Sequence, residues 1–549
     1  MLEITCHTNL VSYLPIPPTY SLFQASKVRK TGCRVSAPAW GLRPHPPIPH
    51  MSEKRCMLTD DQCYSAVLSR DRRFDGVFFV GVSSTGIYCR TVCPVKPPRR
   101  EHCTFYPSAA AAEQAGYRPC LRCRPELAPG QAKIDAVGRL AAAAASRIED
   151  GALTEHSVSD LAQSLGISDR HLRRILQQEF GVTPIQLAQT QRLLLAKRLL
   201  TDSSLSIADI AFASGFSSVR RLNALFQKHY RLNPTALRKA THLPQDSLRC
   251  ELAYRSPFNW QALLKFLQPR AIAGVENFEA NGYQRTVRVR QHQGWIQVSP
   301  IPKQDKLEVV LSASLIAAIL PILSRVKALF DLAADPILIA NHLGELALAS
   351  PGLRVPGAFD GFEVAVRAIL GQQVSVKAAT TLMARLVQTV GTPISTPIAG
   401  LTHLTPTPAQ IASLSLSDLT DLGILPARAA AIQSLAQALN HGILRLDSYA
   451  DIEATVTQLK TFPGIGDWTA QYIAMRVLAY PDAFPHTDLG LRRALGVERT
   501  EQVLQIAETW RPWRAYAAMY LWKSLEEQAN DLNVLPLVRE SCRLVAADV

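Results

Sequence analysis

The recurrence of apolar positions divides this 549-residue chain into four main stretches. Between residues 131 and 240 they return about every three or four residues in Ala- and Leu-rich runs, the period of amphipathic helices, with short Gly, Ser and Pro breaks. From 247 to 350 the pattern opens with alternating segments, "TVRVRQ" (286–291) and "GWIQVS" (294–299), which predict strands of an antiparallel sheet. From 355 to 530 the helical period returns, punctuated by "LGQQVS", "FPGIGDW" and "RPW". Residues 56–128 keep no single period and instead concentrate Cys, aromatic and Arg residues. The most apolar run, "LSASLIAAILPILS" (311–324), is shorter than the ~18 residues of a bilayer span and contains Pro321, so it predicts a buried helix and no membrane partner. The first fifty residues are Pro-rich and aperiodic, without the basic and apolar regions of a signal peptide; they predict a disordered extension, or a stretch upstream of a start at Met51 or Met57. The expected parts are therefore 1–50 (extension), 51–130, 131–242, 247–352, 353–530 and a tail at 531–549.

Composition narrows the class. With 47% hydrophobic and 19% charged residues the chain is a folded, multidomain protein rather than a disordered one. The formal net charge of +14 points to a polyanionic partner, and the absence of a basic amphipathic helix favours nucleic acid over an anionic membrane. Eleven cysteines, odd in number and scattered, suit a reducing cytosol better than a disulfide framework.

Four of those cysteines form a pattern, C-x3-C, x26, C-x2-C, at Cys89, Cys93, Cys120 and Cys123. Spacings this short let each pair converge on one tetrahedral Zn²⁺, and two halves close the site. The spacing leaves two roles open. The ion holds a small domain together, or it keeps a thiolate ionised for attack on an electrophile. The segments "LTDDQCYSAVLSRDRRFDGVFFVGVSSTGIYCRTVCP" and "FYPSAAAAEQAGYRPCLRCRPE" resemble the amino-terminal domain of the Ada-type DNA repair regulators over about 70 residues. The resemblance implies that Cys89 accepts a methyl group from a DNA methylphosphotriester, with Cys93, Cys120 and Cys123 as the other zinc ligands. Arg90, Lys96, Arg99 and Arg100 are then expected to meet DNA phosphates. Cys56, Cys63 and Cys103 match no ligand position and are expected in the core.

"VSDLAQSLGISDRHLRRILQQEFGVTP" (158–184) has the features of a helix-turn-helix: an apolar helix, Gly166 in the turn, and Ser168 as N-cap of a second helix. That helix carries Arg170, His171, Arg173 and Arg174, suited to phosphates or guanine edges. "SIADIAFASGFSSVRRLNALFQKHYRLNP" (206–234) repeats the arrangement with Gly215, Ser217, Arg220 and Arg221. The pair resembles the AraC-type regulator domain. Promoter DNA and RNA polymerase are the partners this implies.

In "LKTFPGIGDWTAQYIAMR" (459–476) Gly464 and Gly466 allow a tight turn whose N–H groups, at a helix start, can hold a DNA phosphate. About twenty residues on, "AFPHTDLGLRRALG" brings Asp488. With "FEVAVRAILGQQVSVKAA" and "WRPWRAYAAMYLW", residues 355–525 resemble 3-methyladenine DNA glycosylase II of the helix-hairpin-helix-Gly/Pro-Asp superfamily. Residues 247–350 fit its amino-terminal α+β domain, which is TATA-binding-protein-like. The resemblance implies a catalytic carboxylate at Asp488, base-stacking aromatics Trp468, Tyr472 and Trp522, and Gln373 where an enterobacterial relative has an apolar wedge. It also implies a Na⁺, K⁺ or Mg²⁺ ion on the carbonyls of Lys460, Phe462 and Ile465. Trp468 stands where bifunctional relatives carry a Schiff-base lysine, so no lyase step is expected. Asp467 and Asp482 are expected as exposed loop residues.

The fold class expected is multidomain and mostly α: a small zinc-bound α+β domain, an all-α helix-turn-helix pair, an α+β domain, and an all-α helix-hairpin-helix glycosylase domain. The expected function is alkylation repair with transcriptional regulation, acting on alkylated double-stranded DNA in the cytoplasm. No Pro-Cys-His-Arg motif is present, so repair of O6-methylguanine is not expected. The alternative is a zinc-stabilised transcription factor whose carboxy-terminal half only binds DNA, and Asp488 discriminates between the two.

Overall fold

The computed structural model describes residues 58–129, 139–238, 247–279, 281–446 and 452–530. The expectations for residues 1–50, Cys56 and the tail at 531–549 lie outside the described residues.

The Cys-rich region folds around a four-stranded sheet, β1 (Phe79–Val82), β2 (Ile87–Cys89), β3 (Cys103–Tyr106) and β4 (Arg118–Pro119), in the order β3-β1-β2-β4. β1 pairs antiparallel with β2 and β3, and β2 pairs parallel with β4. This parallel pair sets Tyr88 against Pro119, so Cys89, the last residue of β2, and Cys120, the residue after β4, come to the same end of the sheet. Cys63 and Cys103 lie buried in the small core, as expected, and burial pushes the Cys63 thiol up to about 11.

Both helix-turn-helix units form. Helices Val158–Ser164 and Asp169–Phe180 flank Gly166, whose φ of +69° suits glycine. Ser168 caps the second helix, accepting the His171 N–H at 3.2 Å. In the second unit, Ile207–Ala213 and Val219–Tyr230, the cap is Ser218 rather than Ser217; its hydroxyl accepts the Arg221 N–H at 3.2 Å. Between the units runs the long helix Pro184–Asp202.

Strands β5 (Ser247–Ala253), β6 (Glu276–Asn277), β7 (Tyr283–Val289), β8 (His292–Pro300) and β9 (Lys306–Ser312) make an antiparallel sheet ordered β5-β9-β8-β7-β6. The two alternating segments are its β7–β8 hairpin. The apolar run at 311–324 is not one helix. It finishes β9, passes through a 3₁₀ segment (Ala313–Ala318) and enters the helix Ile319–Leu329, where Pro321 sits in the first turn and removes no intrahelical hydrogen bond. A further set of helices, Gly361–Leu370 to Arg514–Asn530, follows. Among the described residues no helix is long and apolar enough to cross a membrane.

One contiguous apolar core runs from Leu193 in the long helix through the five-stranded sheet to Tyr520 near the carboxy terminus. The second helix-turn-helix unit is thus packed into the same core as the sheet domain. The Cys-rich module packs Ala110 into the apolar core of the first helix-turn-helix unit and is held further by buried polar groups. Glu113 accepts hydrogen bonds from Tyr88 (3.1 Å), Thr190 (2.9 Å) and Tyr230 (3.0 Å), and Lys197 pairs with Glu126 at 2.6 Å with both side chains buried. Arg255, beyond β5, donates to the Asp75 carbonyl at 3.0 Å. Burial pushes the Glu113 carboxyl up to about 7, against the opposing hydrogen bonds from Thr190, Tyr230 and Tyr88 and the charge of Lys197. A carboxyl whose folded pKa lies above its unfolded value contributes full stability below that unfolded value and loses it as pH rises through about 7. Thermal unfolding is therefore expected to show a decline in stability between pH 4.5 and 7 that is smaller in Glu113→Gln by up to about 3 kcal/mol, what is left belonging to other buried carboxyls such as Glu363, which burial also pushes up to about 7.

Candidate functional site

Two sites emerge, one in each half. In the first, the four sulfurs of Cys89, Cys93, Cys120 and Cys123 all lie within 4.8 Å of one another. A tetrahedron with ~2.3 Å Zn–S bonds has edges near 3.8 Å, so the donor set fits zinc in number, type and spread. Local hydrogen bonds hold the frame. The Cys120 N–H donates to the Tyr88 carbonyl (3.0 Å), the Cys93 N–H to the Arg90 carbonyl (3.2 Å), and the Arg90 N–H to Cys123 Sγ (3.4 Å). Cys120 and Cys123 are buried, whereas Cys89 and Cys93 are partly open to solvent.

Arg90 requires a correction. The residue is only 6% exposed; Nε donates to Asp75 at 2.7 Å, and the guanidinium also reaches the Cys123 carbonyl at 3.2 Å. An arginine committed to a buried carboxylate has no free face for a phosphate. It braces the cysteine loop from behind. Lys96 and Arg99 do stand exposed, as does Arg122, whose place between two ligands in "RPCLRC" is the sequence signal for it. Arg100 is partly engaged by Asp60 and Asp61.

On the helix-turn-helix units, Arg170, Arg173 and Arg174 are exposed and His171 is half-buried. Arg173 pairs with Asp169 one turn back at 2.8 Å, a contact a phosphate can displace at little cost, since exposed i,i+4 pairs contribute only about 0.3–0.5 kcal/mol. Arg220 and Arg221 are exposed on the corresponding helix of the second unit.

The second site gathers around Asp488, N-cap of helix Leu489–Leu495. Its Oδ1 accepts the Leu491 N–H (2.9 Å) and the Trp522 indole N–H (3.0 Å), while Oδ2 accepts the Trp468 indole N–H (2.9 Å). The carboxylate is thus clasped between two indoles. A Cβ on Gly490 would approach Asp488 Oδ1 to 2.8 Å, so the clasp needs glycine there. Trp468 stacks on Tyr472, with planes 10° apart and centroids 5.1 Å apart, and Trp522 tilts across at 6.3 Å from Tyr472. The Tyr472 hydroxyl accepts from Arg476 at 2.7 Å. Burial raises its pKa, but the guanidinium groups of Arg476, Arg270 and Arg367 outweigh burial and leave the phenol below the usual tyrosine value. The three arginines carried no sequence signal, since they come from three separate segments.

The hairpin joins helices Ile452–Leu459 and Asp467–Arg476. Gly464 turns with φ +79° and presses on helix Pro426–Asn440, a Cβ there meeting Ala431 Cβ at 3.1 Å. Gly466 opens the second helix and faces open space. Gln373, exposed and with φ +53°, tips the turn before helix Val376–Val390. Its neighbour Gln372, unremarked in the sequence, ties this turn to the hairpin through the Gly464 carbonyl (2.8 Å) and Thr469 Oγ1 (2.9 Å). The Phe462 carbonyl accepts the Ile465 N–H at 3.1 Å, and with Lys460 it lies in the hairpin where a cation was expected. Neither aspartate is an exposed loop residue. Asp482 is buried and engaged by Arg511 and Arg514, and Asp467, in a first helical turn, pairs with Lys460 and His486.

Four family models match the chain: the metal binding domain of Ada over 62–126, a helix-turn-helix domain over 161–240, the AlkA N-terminal domain over 249–360, and the HhH-GPD superfamily of base excision DNA repair proteins over 366–506. A Mycobacterium tuberculosis protein described as a probable bifunctional transcriptional activator/DNA repair enzyme AlkA is 38% identical over 487 residues, 86% of this chain and 97% of the relative. The chain belongs to this AlkA family of bifunctional activator/repair proteins. Shorter relatives match the halves of this AlkA-family chain separately. DNA-3-methyladenine glycosylase 2 of Escherichia coli is 36% identical over 271 residues, 49% of this chain and 95% of the relative. The E. coli bifunctional transcriptional activator/DNA repair enzyme Ada is 37% identical over 148 residues, 27% of this chain and 39% of that protein.

Proposed function

We propose that this protein excises alkylated purines from double-stranded DNA at Asp488 and captures methyl groups from DNA phosphotriesters at Cys89, the capture switching on promoter binding. The observation that carries the first activity is the Asp488 carboxylate held by two indole N–H groups beside the stacked Trp468–Tyr472 pair. A cationic alkylated base, flipped from the helix, fits against Trp468, Tyr472 and Trp522 by cation–π contact and stacking. As the C1′–N bond breaks, its electron pair leaves with the base, which becomes neutral, and positive charge develops on the sugar. Asp488 stabilises that charge and orients the water whose oxygen then bonds to C1′ as one of its O–H bonds gives up a proton to solvent. Gln373 fills the vacated gap, while the N–H groups at Gly464 and Gly466 hold a phosphate of the bent strand.

In the amino-terminal half, bound zinc would keep the cysteine sulfurs ionised at neutral pH. Cys89 Sγ attacks the methyl carbon, an S–CH₃ bond forms, and the O–CH₃ bond electrons return to the phosphate as a diester anion. A thiolate has become a neutral thioether, so the surface that meets DNA is one negative charge poorer, and Lys96, Arg99 and Arg122 bind phosphates with less opposition. The arginines of the two helix-turn-helix units then read promoter DNA and present the protein to RNA polymerase in the cytosol.

Release of 3-methyladenine from methylated duplex by the full chain tests the glycosylase reading; no release defeats it. The reaction is expected to leave abasic sites with strands intact, since the Trp468 indole cannot form a Schiff base. Nicks on a denaturing gel without added alkali or lyase would contradict that step.

A further inference from the structure

The buried tyrosines Tyr88, Tyr230, Tyr283 and Tyr516 each donate their hydroxyl to a carboxylate: Glu113 (3.1 and 3.0 Å), Glu276 (2.5 Å) and Asp331 (2.6 Å). Burial, reinforced by those carboxylates, pushes the four phenols well above the usual tyrosine value. Tyr472 is also buried, at 9% exposed, but charge of the opposite sign surrounds it. Arg476, one turn along the same helix, donates to its hydroxyl at 2.7 Å. Arg367, on helix Gly361–Leu370, gives one amino group to Thr380 (2.7 Å) and keeps the other buried with no hydrogen-bond partner. Arg270, at the end of the 3₁₀ segment Gln268–Arg270, lies 3.8 Å over the Phe266 ring and adds a third positive charge. The carboxylates nearby are engaged by other groups: Glu276 by Tyr283, Glu363 by Arg285 at 2.7 Å, and Asp488 by the two indoles. Glu526, on helix Arg514–Asn530, is exposed, and its charge acts on Arg270.

A guanidinium donates hydrogen bonds and accepts none. Among the described residues no oxygen accepts from the Tyr472 hydroxyl, so a neutral phenol would bury an O–H without a partner. A phenolate has no such proton and accepts from the cations around it. Burial by itself would raise this phenol, and the three guanidinium groups reverse the direction. The same cations oppose the entry of a cationic base unless a fixed anion stands between them and it.

We propose that Tyr472 works as a phenolate, the fixed counter-charge for a cationic alkylated base, and so sets a preference for cationic over neutral purines; this rests on the glycosylase reading above. During cleavage the positive charge moves from base to sugar but stays in the pocket, so the phenolate attracts it throughout. A neutral purine brings no net charge at any stage and gains little from the same anion.

The test uses the full chain with two duplexes of one sequence, one methylated to carry 3-methyladenine and one carrying hypoxanthine, a neutral purine. At neutral pH the ultraviolet difference between wild type and Tyr472→Phe should show the red-shifted band of one tyrosinate, lost on acidification. The ratio of 3-methyladenine to hypoxanthine release, taken as kcat/KM, should fall about tenfold or more in Tyr472→Phe. Arg367→Met keeps the phenol and its Arg476 hydrogen bond, so it reports independently of how well Tyr472→Phe folds. Titrated beside wild type, it should form its tyrosinate band only at higher pH, because one cation has gone. A missing tyrosinate band, or a titration that Arg367→Met leaves in place, would overturn the phenolate and leave the glycosylase reading intact. A release ratio unchanged in Tyr472→Phe, as when both rates fall equally from a damaged stacking wall, would overturn its part in base preference. A wild type that releases neither base overturns the glycosylase reading and this proposal together.

Discussion

Asp488→Asn is expected to reduce single-turnover release of 3-methyladenine by about a hundredfold or more, the scale of removing one preorganised electrostatic partner from a developing charge. The substitution is nearly isosteric, and two of the three hydrogen bonds survive it. The amide oxygen still accepts from the Leu491 N–H and the Trp522 indole, so the helix cap stays. The third does not survive, because the amide nitrogen would face the Trp468 indole N–H, donor against donor. Trp468 then loses the anchor that keeps it parallel to Tyr472. The variant therefore lacks the charge opposite the sugar cation and has a loosened stacking wall. Duplex affinity should hold or rise, since one negative charge has left a surface that meets phosphates. Release measured beside gel-shift affinity separates these effects, and equal release by wild type and variant would remove Asp488 from the chemistry.

Cys89→Ser is expected to abolish methyl uptake, from one methyl per chain to none, because a serine hydroxyl is not ionised at neutral pH. Mass spectrometry of the protein after incubation with phosphotriester DNA reads the outcome directly. Base excision should stay within about twofold of wild type, since the thiolate cluster and the indole clasp share no residue. The openness of Cys93 makes the location of the methyl informative. A methyl on Cys93 would move the nucleophile four residues along. Wild type should gain DNA affinity after methylation and Cys89→Ser should not, with the gain shrinking at high salt, as the loss of one repulsive charge requires.

How much of this was legible beforehand depends on whether partners are neighbours in sequence. The half-sites Cys89/Cys93 and Cys120/Cys123 were readable because each closes locally. The helix-turn-helix caps were readable to within one residue, Ser218 replacing Ser217, because capping is a contact over three positions. Arg90 was misjudged for the opposite reason. Beside a ligand in a basic stretch it looks like a phosphate contact, but Asp75, fifteen residues earlier, claims it. Asp482 looked like a loop residue until Arg511 and Arg514 arrived from about thirty residues away. Gln372 was hidden beside the more conspicuous Gln373, since only the packed hairpin gives it something to hold.

By itself the sequence determined the order of the modules, the zinc ligand set and the presence of a hairpin followed by a carboxylate, because periodicity, short spacings and turn glycines are local properties of the chain. The tertiary structure alone decided which side chains are free and which are spent. It turned Arg90 inward, gave Asp488 two indole donors from residues 20 and 34 positions away, and joined the methyl-acceptor module to the helix-turn-helix units through the Glu113 hub. Burial and long-range pairing set those outcomes, and both depend on distances in space that a linear pattern does not contain.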